Sequence, residues 1–122
     1  MQLLLIDDEI DLLGLWRDYF AATGFDVRTA SSVSEADKQL RRQPDVVVID
    51  YRLPDGTAAD VLDLIAEHAP AARAILCSGH GTNLPRDVLG RAHLVVSKPL
   101  RLDTLRTAIR SVSEPPPPGA SS

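Results

Sequence analysis

Cysteine occurs once in this chain, at Cys77, so no disulfide can close within it. That usage suits a reducing cytosol. Basic residues are not in excess: 13 Lys and Arg against 17 Asp and Glu give a formal net charge of -4. A nucleic-acid surface would want a basic stripe instead. No apolar run approaches the roughly 20 residues of a membrane span. The opening run, Leu3 to Ile6, is too short for the core of a secretory signal, and no cleavage site follows it. These absences lead us to expect a cytoplasmic, soluble chain that binds neither membrane nor nucleic acid directly. Two further patterns are missing. Cys77 and His80 do not form a zinc spacing, and Cys77 is expected as a small buried hydrophobe. No glycine-rich phosphate loop follows the first apolar run; IDDEIDL carries the opposite charge, which argues against a flavin or nucleotide fold.

What is present is an ordinary globular balance. The chain has 122 residues, 44% apolar and 25% charged, enough for one domain with a real core. Five short apolar runs recur: LLLI (Leu3–Ile6), FDVRTA (Phe25–Ala30), DVVVID (Asp45–Asp50), RAILCS (Arg73–Ser78) and HLVVS (His93–Ser97). All but the second are nearly continuous, as expected for strands covered on both faces. FDVRTA alternates and is placed nearer an edge.

Helical patterns separate the runs. Leu12, Leu13, Trp16, Tyr19 and Phe20 share one helix face, and Gly24 stops that helix. Ser32 and Glu35 read as a capping box, followed by Val33, Ala36 and Leu40 on one stripe. Ala58, Val61, Leu62 and Ile65 form another, and Leu102, Leu105, Ile109 and Val112 the last. The segment Gly79–Ala92 holds three glycines and Pro85, leaving room for a short helix near Arg86–Leu89. Residues 113–122, SEPPPPGASS, are expected as a linker or disordered tail with polyproline II character at Pro115–Pro118.

Strands alternating with helices imply βαβ units, a parallel sheet and helices on both faces. Ligands of such sheets bind at the carboxyl ends of the strands. The strand ends are Asp7 and Asp8, then Asp50, then Ser78, then Ser97, Lys98 and Pro99. Converging on one edge, they would put three carboxylates, a hydroxyl and an ammonium together. Three crowded carboxylates do not stay ionised cheaply, and a divalent cation removes the difficulty. Oxygen-only ligands suit Mg²⁺, which could orient Asp50 as a nucleophile. Lys98 and Ser78 can then hold phosphate oxygens. Taken alone, Asp7, Asp8 and Glu9 are also what a helix N-terminus carries, and Glu9 keeps that reading. The set as a whole points to phosphoryl transfer onto a carboxylate.

Four segments, IDDE, VVVIDYRLPDG, LCSGH and VSKPL, occur in this order at strand ends. With them the chain, over residues 1–112, resembles a two-component response-regulator receiver domain, similar to the chemotaxis single-domain regulators. The resemblance implies a doubly wound flavodoxin-like (βα)5 sandwich with a five-stranded parallel sheet of order 2-1-3-4-5. It implies Asp50 as phosphoacceptor, Ser78 as switch hydroxyl and Lys98 as the phosphate-pairing ammonium. Mg²⁺ would be held by Asp8 directly, by Asp7 largely through water, by Asp50 and by the backbone carbonyl of Arg52. Lys98–Pro99 becomes a candidate cis peptide. The implied partners are a sensor histidine kinase or phosphotransfer protein and a downstream protein or fused output domain. The resemblance leaves room for a dimer formed on phosphorylation.

The chain departs from that family at three places. Family members often carry Tyr or Phe three positions before the lysine, where this chain has Val95. The segment after Ser78 is Gly- and Pro-rich where a regular fourth helix is usual. Arg52 and His80 lie two residues beyond Asp50 and Ser78, flanking the path of a hydrolytic water, and Arg52 is expected to shield the acyl phosphate. The first two departures leave open a phosphorylation-independent pseudo-receiver that works as a protein-interaction module. A phosphohydrolase with an aspartyl nucleophile would want a general acid where Arg52 stands, and Arg52 cannot serve as one. The chain is therefore expected to be a switch and not a turnover enzyme.

Overall fold

The computed structural model describes residues 1–79, 84–98 and 101–113. Three expectations fall outside them: the role of His80, the Lys98–Pro99 bond, and the character of the tail beyond Ser113. In chain order the elements are β1 (Gln2–Ile6), α1 (Ile10–Ala22), β2 (Asp26–Ala30), α2 (Val33–Leu40) and β3 (Val46–Asp50), followed by β4 (Arg52–Leu53), β5 (Gly56–Thr57), α3 (Ala58–His68), β6 (Arg73–Ser78), α4 (Arg86–Arg91), β7 (Leu94–Ser97) and α5 (Leu102–Ser113). The main sheet is parallel with order β2-β1-β3-β6-β7. Setting aside the two-residue arms β4 and β5, this is the expected order 2-1-3-4-5. Among the described residues, no helix is long and apolar enough to cross a membrane.

The central strands split their side chains between two cores, because successive residues of a strand face opposite ways. Leu3, Leu5, Val46, Val48, Ile75 and Cys77 pack with Leu13, Trp16 and Phe20 of α1 and Leu105 and Ile109 of α5. Leu4, Ile6, Val47, Ile49 and Leu76 pack with Ala36, Leu40, Ala58, Val61 and Leu62 of α2 and α3. The helix stripes legible in the sequence are the buried faces.

The end of α1 shows how locally such a stop is specified. Gly24 takes φ +98°; its N–H bonds to the Ala21 carbonyl and that of Phe25 to the Phe20 carbonyl. This is the Schellman closure that a left-handed glycine permits. Phe25 then packs edge-on against Phe20, ring centres 5.6 Å apart.

Two local expectations are corrected. The fifth run is not covered on both faces. β7 is an edge strand in which Leu94 and Val96 face the α1/α5 core, while Val95 on the other face is 37% exposed. Among the described residues the helix on that side, α4, spans only six, too few to cover it. The Ser32–Glu35 box is half formed. The Glu35 N–H bonds to Ser32 Oγ at 3.1 Å, but the Glu35 carboxylate accepts from the Ser31 N–H and hydroxyl, at 3.0 and 2.6 Å. Ser31 offers two donors where Ser32 offers one backbone N–H, and the carboxylate goes there. A complete box occurs instead at α3, between Thr57 and Asp60.

Candidate functional site

The parallel register brings the polar strand ends to one edge. Ile6 pairs with Ile49, Asp50 with Cys77, and Ser78 with Ser97. The residue after Ile6 is Asp7, whose N–H bonds to the Ala30 carbonyl at the tip of β2. Its side chain is almost fully buried, 1% exposed. A buried carboxylate needs partners, and Asp7 has two: Oδ1 accepts from the Glu9 N–H at 3.0 Å, and Oδ2 from Lys98 Nζ at 3.1 Å. Lys98 Nζ also reaches Asp50 Oδ1 at 3.2 Å. Asp8 is exposed beside them. One oxygen from each of Asp7, Asp8 and Asp50 can be chosen so that all three lie within 4.8 Å of one another.

The electrostatics follow from that crowding. One ammonium against three carboxylates leaves the cluster net negative. Burial pushes the Asp50 carboxyl above its ordinary pKa, and the Asp7 charge pushes the same way; Lys98 opposes both without cancelling them. Burial works against the Lys98 ammonium, yet its hydrogen bond to Asp7 and the charges of Asp50 and Asp7 outweigh that and hold its pKa above the usual value. Cys77 is buried, and burial pushes its thiol up to about 12; it is a core residue, inert at neutral pH. Ser78 is buried at the tip of β6, and its carbonyl accepts from the Lys98 N–H at 2.8 Å, so the two tips are joined through backbone.

The turn Leu53–Gly56 is the tip of a small antiparallel ribbon, β4 against β5, directly after Asp50. Arg52 pairs with Thr57, and Leu53 with Gly56. The Ala58 N–H bonds to the Tyr51 carbonyl at 2.8 Å. Bonded and non-bonded pairs alternate in such a ladder, so Arg52–Thr57 is a non-bonded pair. The Arg52 carbonyl therefore points out of the ribbon, while its side chain is exposed. The donor set fits a hard divalent cation: oxygen ligands only, one exposed and water-accessible, with negative charge left over.

One residue of the segment VVVIDYRLPDG proves structural. Asp55, at the ribbon tip, accepts from the Val33 N–H at 2.7 Å and the Ser34 N–H at 3.1 Å, the first amides of α2. Those bonds hold its carboxyl below its ordinary pKa. The contact spans more than twenty residues, from the ribbon turn to the start of α2, and no sequence pattern announces it. The Thr57–Asp60 box, in contrast, is readable as T-x-x-D before an apolar stripe.

Residues 3–110 match the family described as the response regulator receiver domain. The chain belongs to this family. Among curated proteins, this receiver domain is similar to the photosynthetic apparatus regulatory protein RegA of Cereibacter sphaeroides, 32% identical over 95% of this chain and 66% of that one. It is similar also to the alginate biosynthesis transcriptional regulatory protein AlgB of Pseudomonas syringae pv. tomato, 33% identical over 88% of this chain and 25% of that one. The receiver thus spans about a quarter of AlgB and about two thirds of RegA. Among solved structures, the signal receiver domain of a putative LuxO repressor protein from Vibrio parahaemolyticus superposes with a TM-score of 0.81 at 26% identity, covering 90% of this chain and 87% of that one. A CheY-like receiver domain protein from Methanospirillum hungatei JF-1 gives 0.82 at 19% identity, covering 90% of each chain; it supports the fold alone. Receiver domains are signalling switches with an acidic pocket for Mg²⁺, and this one carries its acidic cluster at Asp7, Asp8 and Asp50.

Proposed function

We propose that Asp50 accepts a phosphoryl group from the phosphohistidine of a sensor histidine kinase or phosphotransfer protein, and that residues 1–112 carry this function in the cytoplasm. The observation that supports it best is the half-buried Asp50, gripped by Lys98 inside a three-acid cluster yet left with a raised pKa. An Asp50 carboxylate oxygen attacks phosphorus, the P–N bond breaks, and the imidazole leaves with the electron pair and takes up a proton. Asp7, Asp8, Asp50 and the Arg52 carbonyl would hold Mg²⁺, which when bound supplies positive charge facing the phosphoryl oxygens. Lys98, already poised between Asp7 and Asp50, transfers its second contact to a phosphoryl oxygen. The Ser78 hydroxyl donates to another. The acyl phosphate, at about -1.5 to -2 in place of the single negative charge of the carboxylate, raises the population of a conformation that a downstream protein or fused output domain recognises.

The test is incubation with acetyl phosphate and Mg²⁺ followed by intact-mass measurement, with Asp50→Ala as control. A Mg²⁺-dependent phosphate adduct absent from the variant supports the reading; the wild type remaining unmodified sinks it. The six-residue α4 and exposed Val95 favour the second reading, a pseudo-receiver, and an unmodified wild type would support that instead. On the first reading, Arg52 leans over the acyl phosphate and slows its hydrolysis. Arg52→Asn should shorten the adduct's lifetime, and an equal or longer lifetime removes that role.

A further inference from the structure

We propose that Asp55 is a positioning residue for the cation site: by clasping the N-terminus of α2 it sets the ribbon that carries the Arg52 carbonyl, and it is coupled to cation binding in return. The inference rests on the reading of Asp7, Asp8, Asp50 and Arg52 as the Mg²⁺ ligands.

The hydrogen bonds form a closed circuit around the site. Asp7 is joined through its N–H to Ala30 at the tip of β2. Ala30 runs through Ser31 and Ser32 into α2, where Glu35 bonds back to Ser31 and Ser32 caps Glu35. The first two amides of α2 then bond to both carboxylate oxygens of Asp55. From Asp55 the chain returns along β4 to Arg52 and so to Asp50, which follows Ile49, the register partner of Ile6. The start of α2 is therefore a strut. It joins the acids at the end of β1 to the ribbon after β3, without touching the reacting atoms.

The ribbon is held closely on its other arm as well. A Cβ on Gly56 would collide with the Asp60 carboxylate and lie 3.1 Å from Val33 Cγ2. The Asp60 carboxylate accepts from the Thr57 N–H at 3.0 Å. Leu53 is buried in the core under α2 and α3. With the ribbon fixed by β5 and α3 on one arm, the carboxylate at its tip is what joins it to the β2–α2 side of the cluster. Groups that orient a metal ligand from behind influence affinity strongly, and coupling between two events is reciprocal.

The test compares Mg²⁺ binding by calorimetry in the wild type, Asp55→Ala, Asp55→Asn and Thr23→Ala. Thr23→Ala removes a hydrogen bond at the end of α1, outside the circuit. We expect Asp55→Ala to weaken Mg²⁺ binding about tenfold, Asp55→Asn to fall between, and Thr23→Ala to leave it unchanged. Mg²⁺ should also slow hydrogen exchange at the Val33 and Ser34 amides of the wild type, a readout that needs no variant to fold. Unchanged binding in the Asp55 variants, equal weakening in Thr23→Ala, or exchange indifferent to Mg²⁺ would each overturn the inference. A wild type that binds no Mg²⁺ would instead remove the cation site itself, and this role with it.

Discussion

Two sets of acids sit at the same edge of the sheet and live under opposite rules. Asp7, Asp8 and Asp50 face one another with one ammonium among them, and the Asp50 carboxyl is pushed up by burial and by Asp7. Asp55 and Glu35 face backbone N–H groups and a serine hydroxyl, and both are pulled below their ordinary pKa. The first set holds repulsion that Lys98 relieves only in part. The second converts its charge into scaffold. What decides a carboxylate's role here is the partner that the fold supplies, not the residue type.

The sharpest way to break the contrast is to take the one cation from the first set. Lys98→Met leaves Asp7, which is 1% exposed, without its ammonium. Removing one member of a buried pair costs about 3 kcal/mol, so urea unfolding in Mg²⁺-free buffer should show a loss of that order. A loss near zero would mean that the Glu9 N–H alone suffices for Asp7.

Removing an acid from the same set should act in the other direction. The folded pKa of Asp50 is raised above 3.8, so its contribution to stability is favourable below that pH and is lost as pH rises through the folded value. At neutral pH the ionised carboxylate is a liability. Asp50→Asn should therefore raise the urea midpoint without Mg²⁺, and Mg²⁺ should stabilise the wild type more than the variant. A lowered midpoint would show that the Lys98–Asp50 pair outweighs the repulsion.

In the second set, Thr57→Ala removes the cap of α3 and should cost about 1 kcal/mol, read from the same unfolding curves. Asp55→Asn should have the smallest effect on stability, and its sign depends on pH. The folded pKa of Asp55 lies below 3.8, so its contribution is present above pH 3.8 and is lost as pH falls through the folded value. The wild type should be more stable than Asp55→Asn at pH 7, and the two should converge in strong acid. A gap that persists in acid would assign the effect to shape and not to charge.

Much of the acidic edge was legible because two periodicities meet there. An apolar run that stops at an acid, repeated between helical stripes, forces the stops of a parallel sheet onto one side. Asp7, Asp8, Asp50 and Lys98 came together on that ground alone. Leu94-Val95-Val96 misled because a run apolar on both faces resembles a strand covered on both, whereas β7 ends the sheet order and the six-residue α4 leaves Val95 exposed. Glu35 was assigned to Ser32 although Ser31 offers more donors, a choice that depends on loop direction. The Asp55 clasp joins a turn to a helix start far away in sequence, and nothing local in either one encodes it.

The clasp is made to main-chain amides, and this has a consequence for how α2 can vary among descendants of this chain. Val33 and Ser34 contribute only N–H groups to Asp55, so the clasp makes no demand on either side chain: the exposed Ser34 can change freely, and Val33 is held only by its packing. Proline is the exception, because it brings no N–H. The burden of keeping the contact falls on the single position 55, while the helix it holds remains free to change its outward face for new partners.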